Sequence, residues 1–238
     1  MKVDILAIGV HPDDVELSCS GTLAKHVALG KTAGILDLTL GELGTRGNAE
    51  LRTKEAMKAA EILGASFRHQ LQLKDGFFTQ DEASLRLIIE QIRLAKPEIV
   101  LCNAVSDRHP DHGRSAKLVA DACFYAGLSK IRTEYNGASQ DCWRPKAVYH
   151  YIQDNYIEPN FVIDVTPFRE IKHKAIMAFS SQFYDPKSAE PETPISGKDF
   201  LESVDAKMRV MGRQINVSFA EGFTRTRYIG VNNLFDLI

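Results

Sequence analysis

Two short stretches gather side chains that can do chemistry together: His11-Pro12-Asp13-Asp14 and His109-Pro110-Asp111-His112. A catalytic zinc takes three protein ligands from His, Asp, Glu or Cys and leaves one position for water. His11 and Asp14, three residues apart in one turn, can offer an imidazole and a carboxylate to the same point, and His112 supplies the third ligand from the second stretch. Two imidazoles and one carboxylate suit zinc or another borderline divalent ion rather than a thiolate-seeking metal, with iron, cobalt and manganese still open. Asp13, beside the ligands and not needed by them, is the expected general base for a water molecule. His109, with Asp111 two residues on to orient it and hold it cationic, is the expected general acid or oxyanion-stabilising cation. A single His-Pro-Asp stretch would signify only a turn, in which Pro presets φ and Asp caps the next helix. The pairing of two such stretches, which hold three of the seven histidines, points to a metal.

The elements around these stretches must bring them together. Residues 3–10 form an apolar run of the buried-strand type, stopped at His11-Pro12, and helical spacing follows to Gly30. Strands are expected at 33–40, 67–73 and 98–104, and helices at 49–63, 81–95 and from His112 to about 127, with a glycine-rich loop at 41–48. Residues 128–145 are polar and irregular. Strands at 146–152 and 161–165 and helices at 168–180 and 198–215 complete the pattern, with a proline-rich loop at 184–197. Such alternation predicts an α/β fold, a Rossmann-like, mostly parallel sheet with helices on both faces. Ligands in these sheets bind beyond the carboxyl ends of the strands, where both chemical stretches fall. No linker or internal repeat divides the chain, so residues 1–238 are expected to form one domain.

The composition narrows the function classes. A net charge of -2 gives no bulk attraction to nucleic acid or anionic lipid, so neither is an expected partner. No stretch approaches the roughly 20 apolar residues of a membrane span, and the start of the chain does not resemble a signal peptide, so a cytoplasmic location is expected. The four cysteines form no CxxC pair, which argues against a disulfide framework or a thiolate zinc site. A homo-oligomer is expected.

The paired signatures resemble those of the PIG-L-like (LmbE-like) deacetylases, and Gly41-Glu42-Leu43-Gly44-Thr45-Arg46-Gly47-Asn48, Arg52, Glu55, Asp75-Gly76 and Ala220-Glu221-Gly222-Phe223 resemble further segments of that family in order. The resemblance implies a zinc-dependent hydrolase of N-acetylglucosamine conjugates, with metal on His11, Asp14 and His112, Asp13 as base, and His109 supported by Asp111. Within the family it is strongest to the deacetylases of bacillithiol biosynthesis, which act on N-acetylglucosaminyl malate. It also implies substrate contact by Arg52, whose planar fork suits a carboxylate, with Arg108 as a second cation for the aglycone. Other conjugates remain open, an inositol conjugate or a chitin disaccharide among them, and so does a non-catalytic metal- or sugar-binding module on the same sheet. Tyr149, His150 and Glu221 carry weaker claims: strand alternation sends His150 to the face opposite both tyrosines, as a core group or a carbonyl-polarising one. His26, His69 and His173 have no partner cluster and are expected to be structural.

Overall fold

The computed structural model describes residues 1–236. At its centre is a seven-stranded sheet built from β1 (Ile5–Gly9), β2 (Ala33–Asp37), β3 (Phe67–Gln70), β4 (Ile99–Cys102), β7 (Ala147–Tyr151), β8 (Phe161–Asp164) and β9 (Ala220–Arg225). A separate small hairpin, β5 (Glu134–Tyr135) with β6 (Ala138–Ser139), lies within the irregular segment. The strand order is β3-β2-β1-β4-β7-β9-β8, with the first five parallel and β9 antiparallel to both its neighbours.

Period-two alternation divides the core. On β1, Leu6 and Ile8 pack into one cluster with Ile88, Ile92, Leu118 and Val119, which belong to α3 (Glu82–Ala95) and α4 (Pro110–Ala126). Ile5 and Ala7 face the other way, into a cluster with Val15, Cys19 and Leu23 of α1 (Asp14–Ala28), Ala60 of α2 (Ala49–Leu63) and Ala175 of α5 (Arg169–Met177). The expected helix-covered, mostly parallel sheet is therefore the observed one. Turn chemistry sets the helix ends: Asn48 caps α2 by accepting the Leu51 amide at 2.9 Å, and Gly64 closes it with φ 69°, a left-handed position that glycine adopts without a Cβ penalty.

The antiparallel strand β9 was not among the expected elements. Ala-Glu-Gly-Phe-Thr-Arg lacks a strand-like apolar pattern, yet its first four residues are buried. Glu221 is tolerated there because Lys172 pairs with it at 2.7 Å and the Gly21 and Thr22 amides donate to it. No helix of the described residues is long and apolar enough to cross a membrane.

The order places β1 between β2 and β4, so the chain leaves β1 towards one side and β4 towards the other. That reversal opens a crevice at the carboxyl ends of this pair. Ile5, Leu6 and Ala7 pair with Ile99, Val100 and Leu101, so the segments after both strands emerge side by side.

Candidate metal centre and active site

The loop after β1 is short and tightly bound. His11 N–H donates to Asp14 Oδ2 at 2.9 Å, and Asp13 sits at the start of α1 with φ 116°, a rare conformation for a residue with a side chain. Its carboxylate caps no amide. The loop after β4 ends at His109, whose Nδ1 accepts the Asp111 amide at 3.3 Å to cap α4, and Pro110 enters the first helical turn, where no amide donor is required. His112 then projects from that turn.

The three expected ligands meet. The Asp14 carboxylate lies between the rings, with Oδ1 3.2 Å from His112 Nε2 and Oδ2 3.8 Å from His11 Nδ1. Ligands about 2.0–2.2 Å from a tetrahedral zinc stand roughly 3.4 Å apart, and each imidazole lies near that distance from the Asp14 carboxylate, through a different oxygen of it. Each imidazole directs its other nitrogen to a carboxylate. His11 Nε2 is 3.1 Å from Asp75 and 3.5 Å from Asp111, while His112 Nδ1 is 2.5 Å from Asp107. Such carboxylate–histidine pairs fix the tautomer and raise the basicity of a metal-ligating ring. Asp14 is itself held by Asn103 Nδ2 at 2.9 Å and Gln153 Nε2 at 3.1 Å. The donor set therefore fits a divalent cation. Among the described residues, the groups whose ligand atoms all lie within 4.8 Å of one another are His11 with His109 and His112, and His11 with Asp75 and Asp111; Asp14 stands beside two of these rings but belongs to neither group.

The electrostatics show what such an ion would replace. Burial opposes charge on His11, but contact with Asp111, Asp75 and Asp14 raises its pKa to about 10. His112 is likewise raised against burial, to about 9, by Asp14 and Asp107. Burial would lift the Asp14 pKa, yet the two imidazoles hold it well below the usual carboxylate range. Thus two protons occupy the centre where one divalent ion would carry the same charge.

Asp13 behaves differently from its neighbour. Burial pushes its pKa up to about 6, opposed by the Arg52 guanidinium and reinforced by the Asp14 charge. A carboxylate with that pKa is mostly ionised at neutral pH yet basic enough to take a proton.

Two expectations for these residues are corrected. Asp111 does not orient the His109 ring: its carboxylate accepts the Gly76 amide at 2.9 Å and turns to His11. His109 is not held cationic, since burial and the charges of His11 and His112 lower its pKa. The helix turn that joins Asp111 to His109 supplies only the cap, because Asp111 points inward and is fully buried. His109 instead stacks on His112 with ring centroids 5.1 Å apart and lines the cleft.

Arg52 lines the cleft, where it was expected to meet substrate, and most of its side chain is held within the protein. Its guanidinium is buried and committed, donating to Asp13 Oδ2 at 3.0 Å, to the Pro12 carbonyl at 2.8 Å and to the Gly41 carbonyl at 3.2 Å. Gly41 has no room for a Cβ, which would meet Arg52 Nη1 at 2.3 Å. Arg52 thus backs Asp13 while it also borders the cleft. Arg108 stands at the mouth, lining the cleft and pairing with Asp154 at 2.6 Å.

The cleft above the centre has a volume of about 300 Å³ and is bordered by the 41–48 loop and by Thr193, Pro194 and Ile195 of the proline-rich loop. The two loops are tied together: Arg46 donates to the Phe183 carbonyl at 3.2 Å and to Ser188 Oγ at 2.6 Å, and Glu190 accepts the Gly47 amide at 2.9 Å. His150 lies away from the cleft, buried with Nδ1 2.8 Å from the Asn103 carbonyl, so it is a core group. Sequence reasoning missed Asp107, Asn103 and Gln153, and gave Asp75 no role. Only Asp75-Gly76 carried a signal, as part of the family resemblance.

The chain is similar to several known proteins. Residues 6–123 match the PIG-L family, described as GlcNAc-PI de-N-acetylase. The chain is 30% identical over 189 residues to diacetylchitobiose deacetylase of Thermococcus kodakarensis, covering 75% of this chain and 70% of that protein. It superposes on the conserved protein TT1542 of Thermus thermophilus with a TM-score of 0.84 and 32% identity, over 97% of this chain and 99% of that one. GalB, the 4-carboxy-2-hydroxymuconate hydratase of Pseudomonas putida KT2440, shares the fold with a TM-score of 0.77 at 22% identity, over 98% of this chain and 100% of that one. With identity of 30% or more maintained over most of two of these proteins, the chain belongs to the PIG-L family of deacetylases.

Proposed function

We propose that this chain hydrolyses the acetamide of an N-acetylglucosamine conjugate, and that one domain spanning residues 1–238 carries the reaction. The observation that supports it best is Asp13, a buried carboxylate with pKa near 6 placed next to the His11, Asp14 and His112 donor set. A non-catalytic binding module has no use for a strained base in that position.

His11, Asp14 and His112 would hold the metal, and Asp75, Asp107, Asn103 and Gln153 would keep them oriented. A divalent ion such as zinc, when bound, supplies Lewis acidity that polarises an amide carbonyl and eases the ionisation of water. Asp13 accepts the proton of the attacking water, and Arg52 holds the Asp13 carboxylate in place through the charge-assisted bond at 3.0 Å. His109, lining the cleft, starts neutral and would relay to the departing nitrogen the proton that Asp13 takes from the water. Asp111 acts on this step only indirectly, by fixing His11.

We propose further that the aglycone carries carboxylates, with malate as the candidate, and that Arg108 receives them. The support is positional. The Arg108–Asp154 pair is 47% and 40% exposed at its side chains, and such exposed pairs are worth only about 0–1 kcal/mol, so a ligand carboxylate can displace Asp154. Diacetylchitobiose is the first competing substrate, on the likeness to the Thermococcus deacetylase. Hydration of an unsaturated carboxylate is the second, on the likeness to the hydratase.

The test is a panel assay of the zinc-loaded chain on N-acetylglucosaminyl malate, an N-acetylglucosaminyl inositol, diacetylchitobiose and an unsaturated dicarboxylate. Acetate release that is fastest from the malate conjugate supports the full reading. Equal rates on all three amides retain the deacetylase and remove the malate preference, and turnover of the unsaturated acid alone replaces the reading with a hydratase.

A further inference from the structure

Beyond Asp14 and His112 the cleft continues inward. A second cavity, of about 80 Å³, shares Asp14, Leu17, Arg108, His112 and Ile195 with the outer cleft. Its far wall is α6 (Phe200–Arg213), which presents Phe200, Val204, Met208 and Met211 at helical spacing, and its floor is Glu221 and Gly222 of β9. The exposed Arg108–Asp154 pair borders it, and the lysines deeper along it are already satisfied. Lys172 Nζ donates to Glu221 at 2.7 Å and to the Leu17 carbonyl at 2.9 Å, and Lys207 Nζ donates to the Gln153 carbonyl at 2.7 Å. What remains for an occupant is therefore mainly hydrocarbon, and a void lined in that way favours apolar groups.

The two spaces meet at the residues that would carry the metal. An amide whose carbonyl sits there has its amine side in the outer cleft and its acyl side in the inner cavity. We propose that the inner cavity seats the acyl group of the substrate, and that this chain hydrolyses N-acyl amides up to about four carbons long rather than acetamides alone. The size argument is simple: the cavity is several times the roughly 10–15 Å³ that one water requires on the same measure, so it has room for two to three carbons beyond the carbonyl. Met208 and Met211 are unbranched and adapt to such a chain. The inference rests on the amide-hydrolysis reading above. The chemistry is balanced by water alone: its oxygen bonds to the carbonyl carbon, the carbon–nitrogen bond breaks, and the products are a short carboxylate and the sugar ammonium.

The experiment compares N-acetyl, N-propanoyl, N-butanoyl and N-hexanoyl forms of one glucosamine conjugate with the zinc-loaded full chain. The expected result is a kcat/KM for butanoyl equal to or above that for acetyl, with a drop of about tenfold or more at hexanoyl, in line with what one methylene is worth in a filled pocket. Val204→Phe, which fills the cavity, should lower the butanoyl-to-acetyl ratio about tenfold, and Met208→Ala, which enlarges it, should raise the hexanoyl-to-acetyl ratio. Ratios are insensitive to partial loss of folded protein. Acetyl turnover with butanoyl a hundredfold slower, or ratios unmoved by both substitutions, would overturn the acyl-cavity assignment and leave the deacetylase intact. Absence of turnover on every amide would overturn the amide-hydrolysis reading and this inference with it.

Discussion

Arg52 Nη2 donates to Asp13 Oδ2 at 3.0 Å, with both side chains 7% exposed, so the cation expected to meet substrate also holds the expected base. Burial raises the Asp13 pKa to about 6 and Arg52 is the largest influence holding it down. Removing Arg52 must therefore raise it further. Arg52→Ala is predicted to move the acid limb of the kcat/KM profile to higher pH and to cost about 10²-fold in activity at pH 7, as loss of an ionised general base does. The loss should be the same on the malate conjugate and on plain N-acetylglucosamine derivatives. A loss confined to the malate conjugate would assign Arg52 to the aglycone.

Ligand and base substitutions should separate cleanly. His11→Ala, Asp14→Ala and His112→Ala are predicted to lose the metal, because three ligands are the minimum for a firm site. Asp13→Asn is predicted to retain one metal per chain and to lose about 10²-fold or more in kcat. Metal analysis after chelator-free purification, paired with acetate release, reads both. Stoichiometric metal in His112→Ala would move the centre towards the Asp75 and Asp111 group.

The paired signatures were legible in the sequence because each lies in a turn directly following a buried strand, so His11, Asp13, Asp14, His109 and His112 could be placed in one crevice from spacing alone. The partners of those residues were not. Asp107 lies five residues before His112 and Gln153 lies forty-one after it, and a single carboxylate or amide in a loop has no pattern that marks it. The Asp13 partner of Arg52 was hidden for a different reason: a helix position says that a guanidinium can reach, not what it reaches first. Strand β9 was hidden because its stability comes from Glu221 pairing with Lys172 and from Gly222 packing near Met211, both long-range events.

The raised imidazole pKa values give a pH signature. A histidine whose folded pKa exceeds its unfolded value contributes stability that is fully present below about pH 6.5 and is lost as pH rises through the folded pKa. For metal-free protein that window runs upward from neutral towards about 9 for His112 and about 10 for His11. Metal displaces these protons, so its apparent affinity should rise with pH by close to two decades per unit near neutrality. Scanning calorimetry from pH 6 to 9 should show the Tm of chelator-treated protein falling while that of zinc-loaded protein holds, the gap widening with pH. Parallel falls in both would mean that the raised imidazoles are not the metal ligands.

The Asp107 carboxylate tests how far orientation matters apart from ligation. It takes the Nδ1 proton of His112 at 2.5 Å and is itself fixed by the Asn155 amide at 2.6 Å, so it sets which ring nitrogen faces Asp14. Asp107→Asn keeps the size but lets the amide present either a donor or an acceptor to Nδ1, and the tautomer with Nε2 free is no longer enforced. Loss of such a partner commonly weakens metal affinity 10- to 100-fold. The prediction is a zinc dissociation constant raised by that factor, with kcat at saturating zinc reduced far less than in Asp13→Asn. Competition with a chromophoric chelator measures the first quantity and a zinc titration of activity the second. An unchanged dissociation constant would show that Asn103 and Gln153, acting on Asp14 from the other side, hold the centre without help from His112's partner.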